Sequence, residues 1–189
     1  MLKEIKVLIR PEYVKKYLLC IAIVTIFMVN FVSPVFAQSS SYVLPYPSFM
    51  PGSTFYRPHL LWEVISKYFY FGSLGQFKYN LGESDKYIVE AKTLYEYGQY
   101  MYASNSLNKS NEFFKNSLDS LNNAQKENKD VSLQRELLKG AALKHIEVLE
   151  KSESFLPEVV VWSPEKVKPK TIYIKKDIDE AMSIRRKIL

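Results

Sequence analysis

Between Pro58 and Pro157 the apolar residues recur in steps of three and four, and the recurrence is cut at Gly72, at Gly98 and at the polar interval 125–130. Steps of three and four put a stripe on one face of an α-helix, whereas a half-buried strand would need strict alternation. The first stripe is Leu61, Val64, Ile65, Tyr68 and Phe69. The second is Phe77, Leu81, Ile88, Ala91, Leu94 and Tyr95. A third runs from about Gln99 to Ala124, with Ala103, Leu107, Phe114, Leu118 and Leu121 on one side. The fourth carries Leu137, Leu138, Ala141, Ala142, His145, Val148 and Leu149 before Pro157 stops it. Ser73 with Gln76 has the spacing of a capping box, and Asp130 or Ser132 can cap the fourth helix. Short connections place consecutive helices antiparallel. The expected fold is therefore all-α, an antiparallel bundle or stacked hairpins of about four helices over residues 58–156.

What precedes this domain bears on its compartment. Leu18 to Val32 is a run of 15 mostly apolar residues behind Lys3, Lys6, Arg10, Lys15 and Lys16, followed by Pro34 and small residues. That is the plan of a secretory signal, with Val35 and Ala37 at the −3 and −1 positions. A membrane-crossing helix needs about 20 apolar residues, and this run falls short unless Tyr17 and residues 33–37 are added. Residues 1–37 therefore read as a signal peptide cut between Ala37 and Gln38, with an uncleaved anchor over 17–37 as the alternative. In both cases the basic side stays in the cytoplasm and the chain from Gln38 onward lies outside it. Cys20, the single cysteine, stands near the start of the apolar run rather than at its end, which argues against lipidation and leaves the exported part without a thiol.

Residues 38–57 hold Pro45, Pro47, Pro51 and Gly52, a density that forbids a helix interior. They read as a tether ending in a turn at Pro51-Gly52. Its aromatic residues, Tyr42, Tyr46 and Phe49, are more than a spacer needs, so the tether is expected to lie against the domain. At the other end, residues 157–189 read as a charged tail. Val159 to Trp162 can pair briefly, Pro164 to Pro169 is a linker, and Asp177 to Leu189 forms a short helix with Ile178, Ala181, Ile184 and Ile188 inward.

Leu44-Pro45, Pro51-Gly52 with Tyr56 four residues on, Trp62-Glu63, and Glu90-Ala91-Lys92-Thr93-Leu94 followed by Gly98 carry a resemblance to a family. More loosely, so does the stretch from Lys144 to Glu150. In this order they resemble a domain of unknown function found in exported bacterial proteins. The resemblance implies an extracytoplasmic helical domain, some of whose relatives look like appendages of regulatory membrane proteins, and it carries over no catalytic residue. Ala91 with Leu94 and Ala103 with Leu107 also resemble one tetratricopeptide unit. Such a fold needs about three repeats, and close packing of two helices at small residues accounts for the pattern.

Chemistry is sparse. His59 and His145 are the only histidines, and the positions three and four away from His145 hold Ala141, Ala142, Val148 and Leu149, none of which binds metal. His145 reads as a structural histidine, and His59 as a residue that helps begin a helix. No G-x-S-x-G elbow or phosphate loop exists, and the S-x-x-K letters at Ser106–Lys109 and Ser163–Lys166 lack companion motifs. Asp177 and Asp179 resemble a calcium loop, but Ala181 and Met182 stand where a ligand and a glycine belong. Glu63, Glu90 and Glu96 lie among aromatics with nothing to pair them. No enzyme, metal or cofactor is expected.

The chain carries a formal net charge of +6. Past Ala37 it holds 21 basic and 18 acidic residues, too slight an excess for a nucleic-acid partner. The basic residues Lys166, Lys168, Lys170, Lys175, Lys176 and Arg185 to Lys187 alternate with acids, which suits a solvated surface better than an anionic partner. The compositional anomaly is aromatic: residues 42–114 hold 19 of the 22 Phe, Tyr and Trp found after Ala37. One outcome is a tyrosine-rich core covered by the tether. The other is a binding surface, with Tyr46, Phe49, Trp62, Tyr68, Tyr70, Tyr97 and Tyr100 as its candidates. The expectation is an exported, non-enzymatic helical domain that binds an envelope protein or a cell-surface polymer and touches membrane only through an uncleaved leader. A membrane-anchored sensor or regulatory domain is the alternative.

Overall fold

The computed structural model describes residues 42–47, 49–165 and 168–189, so the leader, the expected cut at Ala37 and Gln38, and Lys166 lie outside them. Among these residues there are five α-helices, α1 (Tyr56–Ser66), α2 (Gly72–Glu96), α3 (Tyr100–Lys126), α4 (Ser132–Glu153) and α5 (Ile174–Arg186). A 3-10 turn, Lys67–Phe69, follows α1, and strands β1 (Val160–Trp162) and β2 (Lys170–Ile172) form a small antiparallel ladder that pairs Val160 with Ile172 and Trp162 with Lys170. The fold is an all-α helical bundle. No helix among the described residues is long and apolar enough to cross a membrane.

The frame is the α2–α3 hairpin. Its contacts run in opposite directions along the two helices: Glu90 meets Ser106, Ser84 meets Ser110 and Asn80 meets Ser120, so the helices are antiparallel. The turn between them is a Schellman cap. Gly98 N–H donates to Tyr95 at 3.0 Å and Gln99 N–H to Leu94 at 2.9 Å, with Gly98 at φ 68°, where a side chain would be strained. The same cap recurs after α3, where Asn128 takes the left-handed position at φ 59°.

Two apolar clusters fill the bundle. One joins Ile88, Leu94, Ala103, Leu107 and Leu149 to Ile174, Ile178 and Ala181 of α5. The other joins Phe77, Leu81, Phe114 and Leu121 to Leu138, Ala141, Ala142 and Ile184. The stripes expected on α2 and α3 are buried, except that Leu118 is half-buried, and full burial of each large side chain contributes about 1.5–3 kcal/mol. Helix α5 serves both clusters, so the C-terminal helix is part of the core.

The tether packs by alternation. Tyr42 and Leu44 lie against the clusters while Val43 points out, and Met50 packs where the chain turns. Ser53 N–H closes that turn on the Met50 carbonyl at 3.0 Å, with Pro51 and Gly52 (φ 96°) in the central places of a type II turn.

Four expectations need correction. Helix α1 does not bury its apolar stripe: Leu61, Val64 and Tyr68 are 62%, 59% and 74% exposed, and Glu63 is its one buried residue. Leu137 faces outward too, because the inner face of α4 is centred on Leu138, Ala142 and His145. Ser73 and Gln76 form no capping box; Ser73 bonds Glu127, and Gln76 donates back to the Tyr70 carbonyl at 2.5 Å. Arg185, placed with the solvated basic tail, is completely buried. Asp130 does act at the start of α4, its carboxylate accepting the Ser132 N–H at 3.0 Å.

Candidate functional site

Between the two apolar clusters lies a polar layer to which the tether and four helices contribute. Asp85 of α2 accepts from Tyr42 of the tether and lies 2.8 Å from His145 Nε2 on α4. Arg185 of α5 donates through Nε to His145 Nδ1 at 2.9 Å and also reaches Asn111 (2.6 Å) and Ser110 (2.8 Å) of α3. Because a guanidinium only donates, Nδ1 is the acceptor, so Nε2 carries the proton and donates to Asp85. Burial holds the imidazole below its ordinary pKa, and burial lowers Arg185 to about 9, which leaves it charged at neutral pH. The layer thus couples a buried cation to a buried anion through a neutral histidine. All its members are held, and the described residues expose none of them as a reacting group. Its bonds tie the tether and four helices together across the bundle.

A second cluster holds α1 to the bundle. Glu63 accepts from Tyr87 at 2.8 Å, pairs with Lys86 and stands 3.3 Å from His59, while the Tyr79 hydroxyl donates to the Glu63 carbonyl at 3.2 Å. His59 therefore does more than begin a helix. Lys86 also pairs with Glu83 at 3.0 Å, and Ser106 donates to Glu90 at 2.7 Å. Burial raises Glu83 to about 7 and lowers Lys86 to about 8, and burial beside Glu90 raises Tyr56 to about 12. Perturbed groups of this kind mark functional sites as well as structural ion-pair networks. Here Glu63 is held by Tyr87 and Lys86, Glu90 accepts from Ser106 through one oxygen while the other is buried without a hydrogen bond among the described residues, and Glu96 pairs with Lys92 at 2.7 Å at the far end of α2.

Beside this cluster opens a cleft of about 360 Å³. Tyr56 and Pro51 form one side, and Tyr102, Asn105, Asn108 and Lys109 of α3 form the other, with Ser106 between. The α3 residues fall on one face because their spacing is helical. Tyr102 is 55% exposed, so its ring is available as a platform. A second groove, of about 420 Å³, lies at the corner between the 3-10 turn and α2, lined by Lys67, Tyr68, Tyr70, Phe71, Gly72 and Gln76.

The seven aromatic candidates do not form one surface. Tyr68 and Tyr70 share the second groove, and Trp62 lies on α1 just before it, half exposed. Phe49 packs against Phe55 and His59, with ring centroids 5.8 and 5.6 Å apart. Tyr97 is exposed and Tyr100 packs on the core, both at the other end of α2, about 37 Å away at 1.5 Å per residue. Tyr46 is exposed on the tether. The two cleft tyrosines, Tyr56 and Tyr102, were not among the candidates. The signal for Tyr102 was its helical spacing with Asn105 and Lys109; Tyr56 has no such local signal, because only the docking of α1 brings it there.

Comparison with protein-family models, with curated proteins and with solved structures finds no match to this chain.

Proposed function

We propose that this is an exported, non-enzymatic helical domain that works by binding, and that the ligand is a hydroxyl-rich cell-surface polymer held in the cleft between α1 and α3. The observation that carries this reading is the composition of that cleft. Two tyrosines offer flat apolar faces with polar tips, and two asparagines and a lysine converge on the same space. Stacking rings with amide and hydroxyl groups suit a sugar-like ligand, which presents both C–H faces and hydroxyls. The pairing of Glu63 with Lys86 and of Glu96 with Lys92 supports a binding role over hydrolysis. Export rests on the leader and on the family resemblance.

The test is co-sedimentation of the protein with purified envelope polymer, comparing the natural chain with Tyr102→Ala and Asn105→Ala. Both variants should lose most of the bound fraction while keeping the helical circular dichroism. Unchanged binding in both would sink the reading. Cross-linking from position 102 to an envelope protein, with no polymer retained, would turn it to a protein partner.

One observation favours a membrane-anchored regulatory domain as a second reading. Tyr42, five residues beyond Ala37, is bonded to Asp85 in the polar layer. A retained leader would therefore lie only a few residues ahead of a contact in the core. N-terminal sequencing of the processed protein decides it, since a start at Gln38 removes the anchor.

A further inference from the structure

Helix α1 is amphipathic in reverse. Its polar residues Tyr56, His59 and Glu63 face the bundle, and Leu61, Trp62, Val64 and Ile65, continued by Tyr68 and Phe69 of the 3-10 turn, face away. At 100° per residue these six span an arc of about 160°. Scattered exposed apolar residues are ordinary, but a continuous helical face of them marks an interaction surface.

We infer that this face seats on an anionic lipid surface, with α1 lying in the plane of the interface. Three observations select lipid. First, the face combines aliphatic residues with Trp62 and Tyr68, the side chains that settle where hydrocarbon meets headgroups. Second, the exposed charges between Gly52 and Phe71 are all basic, Arg57 and Lys67, while the one acid of that stretch, Glu63, is buried and paired with Lys86. Lys67 lines the groove beside Tyr68 and Phe71, where an ammonium can meet a lipid phosphate above an apolar floor. Third, nine residues of chain lie between Val32, the end of the apolar run, and Tyr42, where the chain is held on the bundle, so a retained leader would keep the domain that carries α1 at high effective concentration near the bilayer. This inference concerns a different surface from the cleft, and either can fail alone.

The chain has two tryptophans, so Trp162→Phe leaves Trp62 as the only indole. The full chain carrying that exchange is reconstituted in phosphatidylcholine vesicles with and without phosphatidylglycerol, each containing lipid brominated near the headgroup end of its chains. Trp62 emission should shift to the blue and be quenched in the anionic vesicles. The quenching should weaken with salt and with Arg57→Gln plus Lys67→Gln. It should vanish in Leu61→Glu plus Ile65→Glu, whose circular dichroism stays helical because neither residue is buried. Tyr102→Ala should leave it unchanged. An indole that stays unquenched in anionic vesicles overturns the inference. So does quenching that survives the two glutamates, or sedimentation showing that α1 is covered by a second copy of the chain.

Discussion

Arg185 Nε donates to His145 Nδ1 at 2.9 Å, and this bond fixes the tautomer of an imidazole that burial keeps neutral, with its proton on Nε2 aimed at Asp85. The cation and anion of the layer sit on α5 and α2, with α4 between them, so the C-terminal helix is fastened to the bundle by charge as well as by Ile178 and Ala181. Exchange of Arg185 for Leu would leave Asp85 buried without its balancing cation. Loss of one partner of a buried pair costs about 3–5 kcal/mol. The urea midpoint of Arg185→Leu should fall accordingly, and adding Asp85→Asn should recover part of the loss. A simple sum of the two single effects would show that the residues are not coupled.

His145 also makes a pH prediction. Its folded pKa lies below the unfolded value of about 6.5, so below that pH the unfolded chain binds the extra proton and stability falls with acidity. Glu83 acts in the opposite sense: burial raises it to about 7, so between about pH 4.5 and 7 the folded chain holds a proton that the unfolded chain has lost, and stability falls as pH rises. The two slopes oppose each other between pH 5 and 6.5. Glu83→Gln, which keeps the histidine slope and removes the opposing one, should therefore lose more stability than the natural chain on going from pH 6.5 to 5. Equal slopes in the two proteins would refute the assignment.

The stripes on α2 and α3 were legible because Phe77, Leu81, Leu107 and Phe114 repeat at helical spacing and do face the core. The same rule failed on α1, since periodicity finds an apolar face without saying whether the bundle or something else will cover it. The inward face of α1 is chosen by Glu63, whose partners Tyr87 and Lys86 are more than 20 residues away. Arg185 and His145 were misjudged or only half read for the same reason. Each is explained by groups 40 to 100 residues distant in sequence, and a local pattern carries no trace of them.

Glycines inside α2 separate local propensity from packing. A Cβ at Gly82 would meet nothing within 4 Å, whereas one at Gly75 would lie 2.9 Å from the carbonyl carbon of Tyr70, a backbone atom. Gly82→Ala should therefore stabilise the protein by about 0.5–1 kcal/mol, the ordinary gain in a helix interior. Gly75→Ala should destabilise it despite the same gain, because the chain entering α2 would have to move. Melting temperatures shifted in the same direction would contradict the corner between the 3-10 turn and α2.

Glu63 is the one buried residue of α1, so the attachment of that helix rests on polar contacts more than on apolar burial. A contact of this kind can open without the core opening. Replacement by Ala would remove the acceptor of the buried Tyr87 hydroxyl and leave Lys86 with Glu83 as its remaining carboxylate partner. Hydrogen exchange on Glu63→Ala should show the amides of residues 60–66 exchanging nearly as fast as an unfolded peptide, with those of α2 and α3 still protected. If protection fell equally everywhere, Glu63 would belong to the global core; if α1 kept its protection, its outward face would have to be covered by something other than solvent.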